Sequence, residues 1–205
     1  MVKKLVIGIS GKQGSGKSTL ADMLDIYFKQ PQPMQRLNHV FRIKFADPIY
    51  KIQEATRAVL ESYGFYSMPK KDGRFLQLVG TEWGRAAFGP DMWCDLTRNR
   101  IASILAGDGS QIIIVDDCRF GNELDLFADI KKSGAAHVVT VRLQAGEETR
   151  RARAESWREN TGHESETSLD GRIGDFDLVI NTNPGSCSAK DAFALVMASL
   201  GEIHE

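Results

Sequence analysis

An α/β fold is predicted, with a parallel sheet covered on both faces by helices, and three observations carry it. Apolar strand-like runs alternate with stretches of helical spacing along nearly the whole chain. A glycine-rich turn, "GKQGSGKST" (11–19), follows the first apolar run at once and opens the first helical one. The clearest strand, "QIIIVDD" (111–117), is apolar on successive residues, as parallel strands buried on both faces are.

Taken in order, "LVIGI" (5–9) reads as a buried strand and "KSTLADMLDIYFKQ" (17–30) as the helix after it, broken by "PQP" (31–33). "VFRIKFA" (40–46) alternates like a short strand. "DPIYKIQEATRAVLESY" (47–63) opens with Asp before Pro, a helix start. "FLQLVGTEWGRAAF" (75–88) and "DMWCDLTRNRIASILA" (91–106) are each spaced as a helix. Strand 111–117 leads to helix "NELDLFADIKKSG" (122–134), stopped by Gly134, and strand "HVVTVRL" (137–143) to a basic helix over 147–159. "DLVIN" (177–181) is the last strand and "SAKDAFALVMASL" (188–200) the closing helix. The polar, Arg-rich segment 144–172 does not read as core and is expected to overhang the sheet edge.

The 205 residues are 42% hydrophobic and 26% charged, enough for one domain with an inserted subdomain. A net charge of -1 gives no support for non-specific nucleic-acid or membrane binding. Cys94, Cys118 and Cys187 form no CxxC or metal-type spacing, so they are expected as reduced thiols in a cytoplasmic protein. The apolar stretch at the N-terminus is too short for a signal peptide, and no run reaches transmembrane length.

"GKQGSGKS" satisfies GxxxxGK[ST] in full, from Gly11 through Gly14, Ser15 and Gly16 to Lys17 and Ser18, with Thr19 next. Such a loop wraps backbone N–H groups around a phosphate, and the following helix adds its positive end. Lys17 is expected on the β/γ-phosphates and the Ser18 hydroxyl on Mg²⁺. The predicted ligand is therefore a nucleoside triphosphate. No NKxD or DxxG motif marks a GTPase switch. Arg85, Arg119 and the cluster Arg150, Arg151 and Arg153 instead suggest phosphoryl transfer between two phosphate esters, whose shared negative charge needs cations on both sides. The plain alternative for each arginine is a surface ion pair. Asp116 and Asp117 end a strand where a carboxylate serves the magnesium shell or the acceptor, and only one of the two is expected to face the loop.

With these residues assembled, the chain resembles the deoxynucleoside monophosphate kinases of tailed bacteriophages, a branch of the P-loop kinases. Beyond the phosphate loop, the likeness lies in "KFADPIYK" (44–51), "LQLVGTEWGR" (76–85) with "DMW" (91–93), "DCRFGNE" (117–123), and "HESE" (163–166) ahead of "FDLVINT" (176–182). The resemblance implies a three-layer P-loop kinase fold with a central parallel sheet, a helical acceptor-binding subdomain over about 47–107 and an Arg-rich lid over about 144–172. It implies transfer of the γ-phosphate of ATP, with Mg²⁺, to a dNMP, often by a homodimer, in the host cytoplasm if the chain is phage-encoded. It places the functional acid on Asp117, with Arg119 and Phe120 completing the pattern and Cys118 where a small aliphatic is usual. Lys17, Asp117, Arg119 and Arg150 would be catalytic, Arg151 would help hold ATP, and Ser18 with Asp117 would serve the metal. Phe45, Asp47, Lys51, Gln77, Arg85, Trp93, Arg119 and Glu166 would border the acceptor, with helix core as the alternative for Trp93. In "HESE", His163, Ser165 and Glu166 either contact ligand or pin the lid to the body. The competing readings are another small-molecule kinase, of the dephospho-coenzyme A kinase type, and a nucleotide-binding module without turnover.

Overall fold

The computed structural model describes residues 4–30, 38–154, 157 and 164–201. Among them is one five-stranded sheet, entirely parallel: β1 Lys4–Gly11, β2 His39–Ile43, β3 Gln111–Cys118, β4 His137–Gln144 and β5 Leu178–Asn181. The spatial order is β2-β3-β1-β4-β5, which puts the loop-bearing strand in the centre. Register carries the C-terminal ends of three strands to one level, with Ser10 beside both Cys118 and Arg142.

Strand periodicity sets the layers. Leu5, Ile7 and Ile9 share a buried cluster with Leu20, Leu24 and Phe28 of α1 (Lys17–Lys29) and with Val196 and Leu200 of α9 (Ala189–Gly201). Residues of opposite parity face the other way. There a Cβ on Gly8 would lie 2.7 Å from the Phe127 ring of α6 (Gly121–Ser133), so a glycine is what lets α6 close on the sheet.

The chain divides into two compact units, Met1–Ile43 with Ile101–Glu205, and Lys44–Arg100. In the second, α2 (Asp47–Ser62) starts at the predicted Asp-Pro, and the Asp47 carboxylate accepts the Lys44 N–H at 2.8 Å. α3 (Gly73–Gln77) is capped by Asp72, whose Oδ1 accepts from the Arg74 and Phe75 N–H groups. The single α-helix expected over 75–88 is not continuous. A π-helical run, Leu78–Arg85, separates α3 from the short α4 (Ala86–Phe88). Trp93, at the start of α5 (Met92–Leu105), supplies the physical reason. Its Nε1 donates to the Gly80 carbonyl at 2.8 Å, and its ring lies where any side chain on Gly84 would have to go.

The expected basic helix is α7 (Glu147–Arg153), which ends at the extended Ala154. The helix expected to run to 159 therefore stops short, and residues 155–156 and 158–163, with the expected His163, fall outside the described residues, as does the "PQP" break. α8 (Glu164–Thr167) and a 3₁₀ turn, Asp170–Asp175, follow. Among the described residues no helix is long and apolar enough to cross a membrane.

β5 begins at Leu178 rather than the expected Asp177 because Asp177 is bound into a side-chain clamp. Its carboxylate accepts from Lys131 Nζ (2.6 Å), the Thr140 N–H (2.9 Å) and Thr140 Oγ1 (3.0 Å), and its own N–H donates to Thr140 Oγ1. Burial alone would raise its pKa, but these hydrogen bonds outweigh it and hold the carboxyl below the ordinary 3.8. A depressed folded-state pKa adds stability above the unfolded value that is lost as pH falls through the folded one. Asp177→Ala should therefore cost about 1 kcal/mol at pH 7, the scale of such hydrogen bonds in a half-exposed setting. The deficit should shrink below about pH 4 as the wild-type carboxylate takes up its proton, which denaturant titration at both pH values would show.

Candidate functional site

The loop is shaped by backbone conformations that disfavour side chains. Gly14 (φ 76°) and Gly16 (φ 95°) are left-handed, and Gly16 caps α1 without a side-chain oxygen. That leaves the first N–H groups of α1 turned toward the loop. A Cβ on Gly14 would collide with the Arg150 carbonyl, so α7 rests against the loop at this point. Lys17 folds back, Nζ donating to the carbonyls of Gly11 (2.6 Å) and Lys12 (2.8 Å). From the far side, Thr182 Oγ1, just past β5, donates to the Ser15 carbonyl at 3.1 Å.

Three arginines surround this loop. Arg119 follows β3 and is placed through its backbone: the Glu123 carboxylate accepts its N–H (2.7 Å) and that of Phe120 (3.1 Å), fixing the start of α6. Arg142 escaped the sequence reading. It lies near the end of β4 with a side chain only 6% exposed, donating through Nη1 to Ser10 Oγ (2.8 Å) and through Nη2 to Asp170 (3.1 Å). An arginine in the otherwise apolar run "HVVTVRL" was the available signal, since such a residue is seldom buried without a task. Arg150 Nη1 reaches the Gln13 carbonyl at 3.2 Å.

The other two arginines of the 150–153 cluster turn elsewhere. Arg151 pairs with Glu147 at 3.4 Å on an exposed helix face. Arg153 donates to the Thr182 carbonyl at 2.7 Å.

Acids answer these cations. Glu166 of α8 takes the Gln13 N–H on one oxygen (3.0 Å) and Arg119 Nη1 on the other (2.9 Å), so the loop and the arginine share one carboxylate. Asp170 takes Lys12 Nζ (2.6 Å) as well as Arg142. Of the two acids ending β3, Asp116 is buried and bound to Arg42, which also reaches Asp22, whereas Asp117 is only half-buried. Burial opposes the Arg42 charge, but those two carboxylates more than compensate and raise its pKa.

The balance is read most directly at Lys17. Burial, then the neighbouring Arg119, bring its pKa down to about 7; Glu166 opposes this, Arg142 adds to it, and Asp116 opposes it. Asp116 is thus among the carboxylates whose charge Lys17 senses, and a site this rich in positive charge is built to receive an anion.

Mg²⁺ prefers oxygen donors and keeps water and phosphate oxygens in its shell. The exposed Ser18 hydroxyl in the first turn of α1 and a carboxylate at the end of β3 fit that need. Among the described residues there is no group of three or more His, Cys, Asp or Glu that would form an all-protein cage.

Within the unit Lys44–Arg100, the expected acceptor residues divide into two kinds. Phe45 and Trp93 are buried, 3% and 2% exposed, with the Trp93 indole committed to Gly80. Asp47, the first residue of α2, accepts the Lys44 N–H, Arg85 ends the π-helical run half-buried, and Lys51 and Gln77 are exposed.

No protein-family model matches the chain, and no curated protein matches it. Solved structures do. The APS kinase of Mycobacterium tuberculosis, solved in complex with AMPPNP and APS, superposes with a TM-score of 0.52 at 13% identity, over 98% of this chain and 99% of that one. Shikimate kinase from Bacteroides thetaiotaomicron (TM-score 0.49, 14% identity, 96% and 98% covered) and a gluconokinase from Sinorhizobium meliloti (0.48, 16%, 98% and 93%) are also similar. The chain thus has the α/β fold of that APS kinase, a central parallel sheet with helices on both faces.

Gly14 tests the loop directly. Alanine there would have to adopt a left-handed backbone, at about 1–2 kcal/mol, and would also push against the Arg150 carbonyl. Gly14→Ala should keep the circular dichroism of the wild type and lose most of the thermal shift produced by a non-hydrolysable ATP analogue. An unchanged shift would show that the left-handed turn is dispensable.

Proposed function

We propose that this protein is an ATP-dependent kinase that transfers a γ-phosphate to the phosphate of a 2′-deoxynucleoside 5′-monophosphate. The observation that carries the kinase reading is the complete phosphate loop at the end of the central strand, with Arg119 and Arg142 close enough that Lys17 feels the charge of both. The dNMP as acceptor, and assembly as a homodimer, rest on the resemblance in the segments 44–51, 76–85, 91–93, 117–123, 163–166 and 176–182.

Transfer between two phosphates leaves little covalent work to the protein, so its residues act by position and charge. The loop N–H groups and the α1 N-terminus would hold the donor's β- and γ-phosphates. Lys17 would leave its two carbonyls for the γ-phosphate, where an anionic partner favours its protonated form. Arg119 would orient the acceptor phosphate with its two-pronged guanidinium. Arg150, from α7, would close over the donor. Ser18 would hold Mg²⁺ together with a carboxylate of the Asp116–Asp117 pair; the resemblance favours Asp117, which is half-buried, whereas Asp116 is buried and bound to Arg42. Mg²⁺ when bound neutralises charge on the phosphates.

Loss of one such electrostatic partner costs catalysis about a hundredfold or more. Lys17→Met should accordingly keep its fold and lower kcat by at least about that factor; near-normal turnover in a folded variant would remove the loop from the chemistry.

The acceptor is tested by ADP release with dGMP, dTMP, dCMP and dAMP, with their ribose counterparts, and with dephospho-coenzyme A. A 2′-hydroxyl buried without a partner costs about 1–3 kcal/mol, so deoxy forms should lead by about tenfold to over a hundredfold in kcat/KM. Equal or better use of the ribonucleotides would refute the deoxy preference. Turnover of dephospho-coenzyme A alone would move the reading to that class, and binding without any turnover would leave a nucleotide-binding module.

A further inference from the structure

Glu166 is bound by groups that the proposed chemistry needs for phosphate. Its two oxygens divide between the Gln13 N–H of the loop (3.0 Å) and Arg119 Nη1 (2.9 Å). Its side chain is 12% exposed, and it is among the charges that raise the Lys17 pKa. A carboxylate that joins a loop N–H to an arginine, close to the loop lysine, offers negative charge and two acceptor oxygens to donors that a phosphoryl group would also use.

We infer that Glu166 is a built-in stand-in for phosphate, an autoinhibitory anion that the incoming donor must displace. This rests on the loop being a phosphate site. The carboxylate offsets the mutual repulsion of Lys17 and Arg119. An arriving polyphosphate competes for the same donors and repels the carboxylate at short range. Displacement frees Arg119 at the moment the donor is seated, so the arginine becomes available to the acceptor only when there is a phosphoryl group to transfer. α8 is a single helical turn, and Asp170 anchors the following segment to Lys12 and Arg142. A local swing of Glu166 is therefore enough, with no movement of the sheet.

Glu166→Gln preserves shape and removes the charge. Calorimetric titration with AMPPNP and with inorganic tripolyphosphate, which has no base or sugar, should show both binding at least about tenfold more tightly to the variant than to the wild type. The empty variant should also melt at a lower temperature, having lost its counter-ion. Glu166→Ala should show the same tightening, so either variant that folds by circular dichroism decides the matter. Equal or weaker affinity in the variant, with the wild type binding both probes normally, would overturn the inference and leave the loop assignment intact; an acceptor-contact role for Glu166 predicts that result. Failure of wild type and variant alike to bind either probe would overturn the loop assignment, and the inference with it.

Discussion

Lys17, Arg119 and Arg142 stand around one loop, and their mutual repulsion in a partly buried setting is the constraint from which the rest of the site follows. Lys17 shows its size: burial and two neighbouring arginines bring an ordinary lysine pKa down to about 7. Such a cluster persists only if something negative is always at hand. That role falls to Glu166 and Asp170, both from the segment after α7, and to Asp116 of β3. The acids of the lid segment and of β3 are as much part of the loop's architecture as its glycines.

Topology makes the cluster possible. With β1 in the centre of the order β2-β3-β1-β4-β5, the loop emerges between the ends of β3 and β4. β3 delivers Asp116 and Arg119 on one side and β4 delivers Arg142 on the other, at the level of Ser10. Ligands of open parallel sheets gather at the carboxyl ends of the strands for this reason. The apolar layers beneath, with α1 and α9 on one face and α6 seated over Gly8 on the other, hold those strand ends in place.

Much of this was legible in the residues. The five strands and the helices between them follow from apolar spacing, and the phosphate loop from a local motif whose geometry is its own. Arg119 stood out as an arginine just after an acidic strand end. The break in the helix after Gln77 was not legible, because it depends on Trp93, whose indole takes the Gly80 carbonyl and whose ring occupies the space over Gly84. Helical periodicity is blind to a hydrogen bond thirteen residues away. Nor was the start of β5, where Asp177 is bound to Thr140 and Lys131 rather than entering the strand.

The sequence by itself determined the fold class and the place of the glycine-rich loop, because short-range patterns encode both: alternation, spacing, and glycines where a side chain would block a turn. Only the tertiary structure decided which charges meet. Arg142 and Ser10 are 132 residues apart, and Gln13 and Glu166 are 153 apart. No local pattern pairs them. Their partnership exists because the sheet brings strand ends together and the lid segment returns to the loop, and Coulomb attraction falls off with distance in space without regard to distance along the chain.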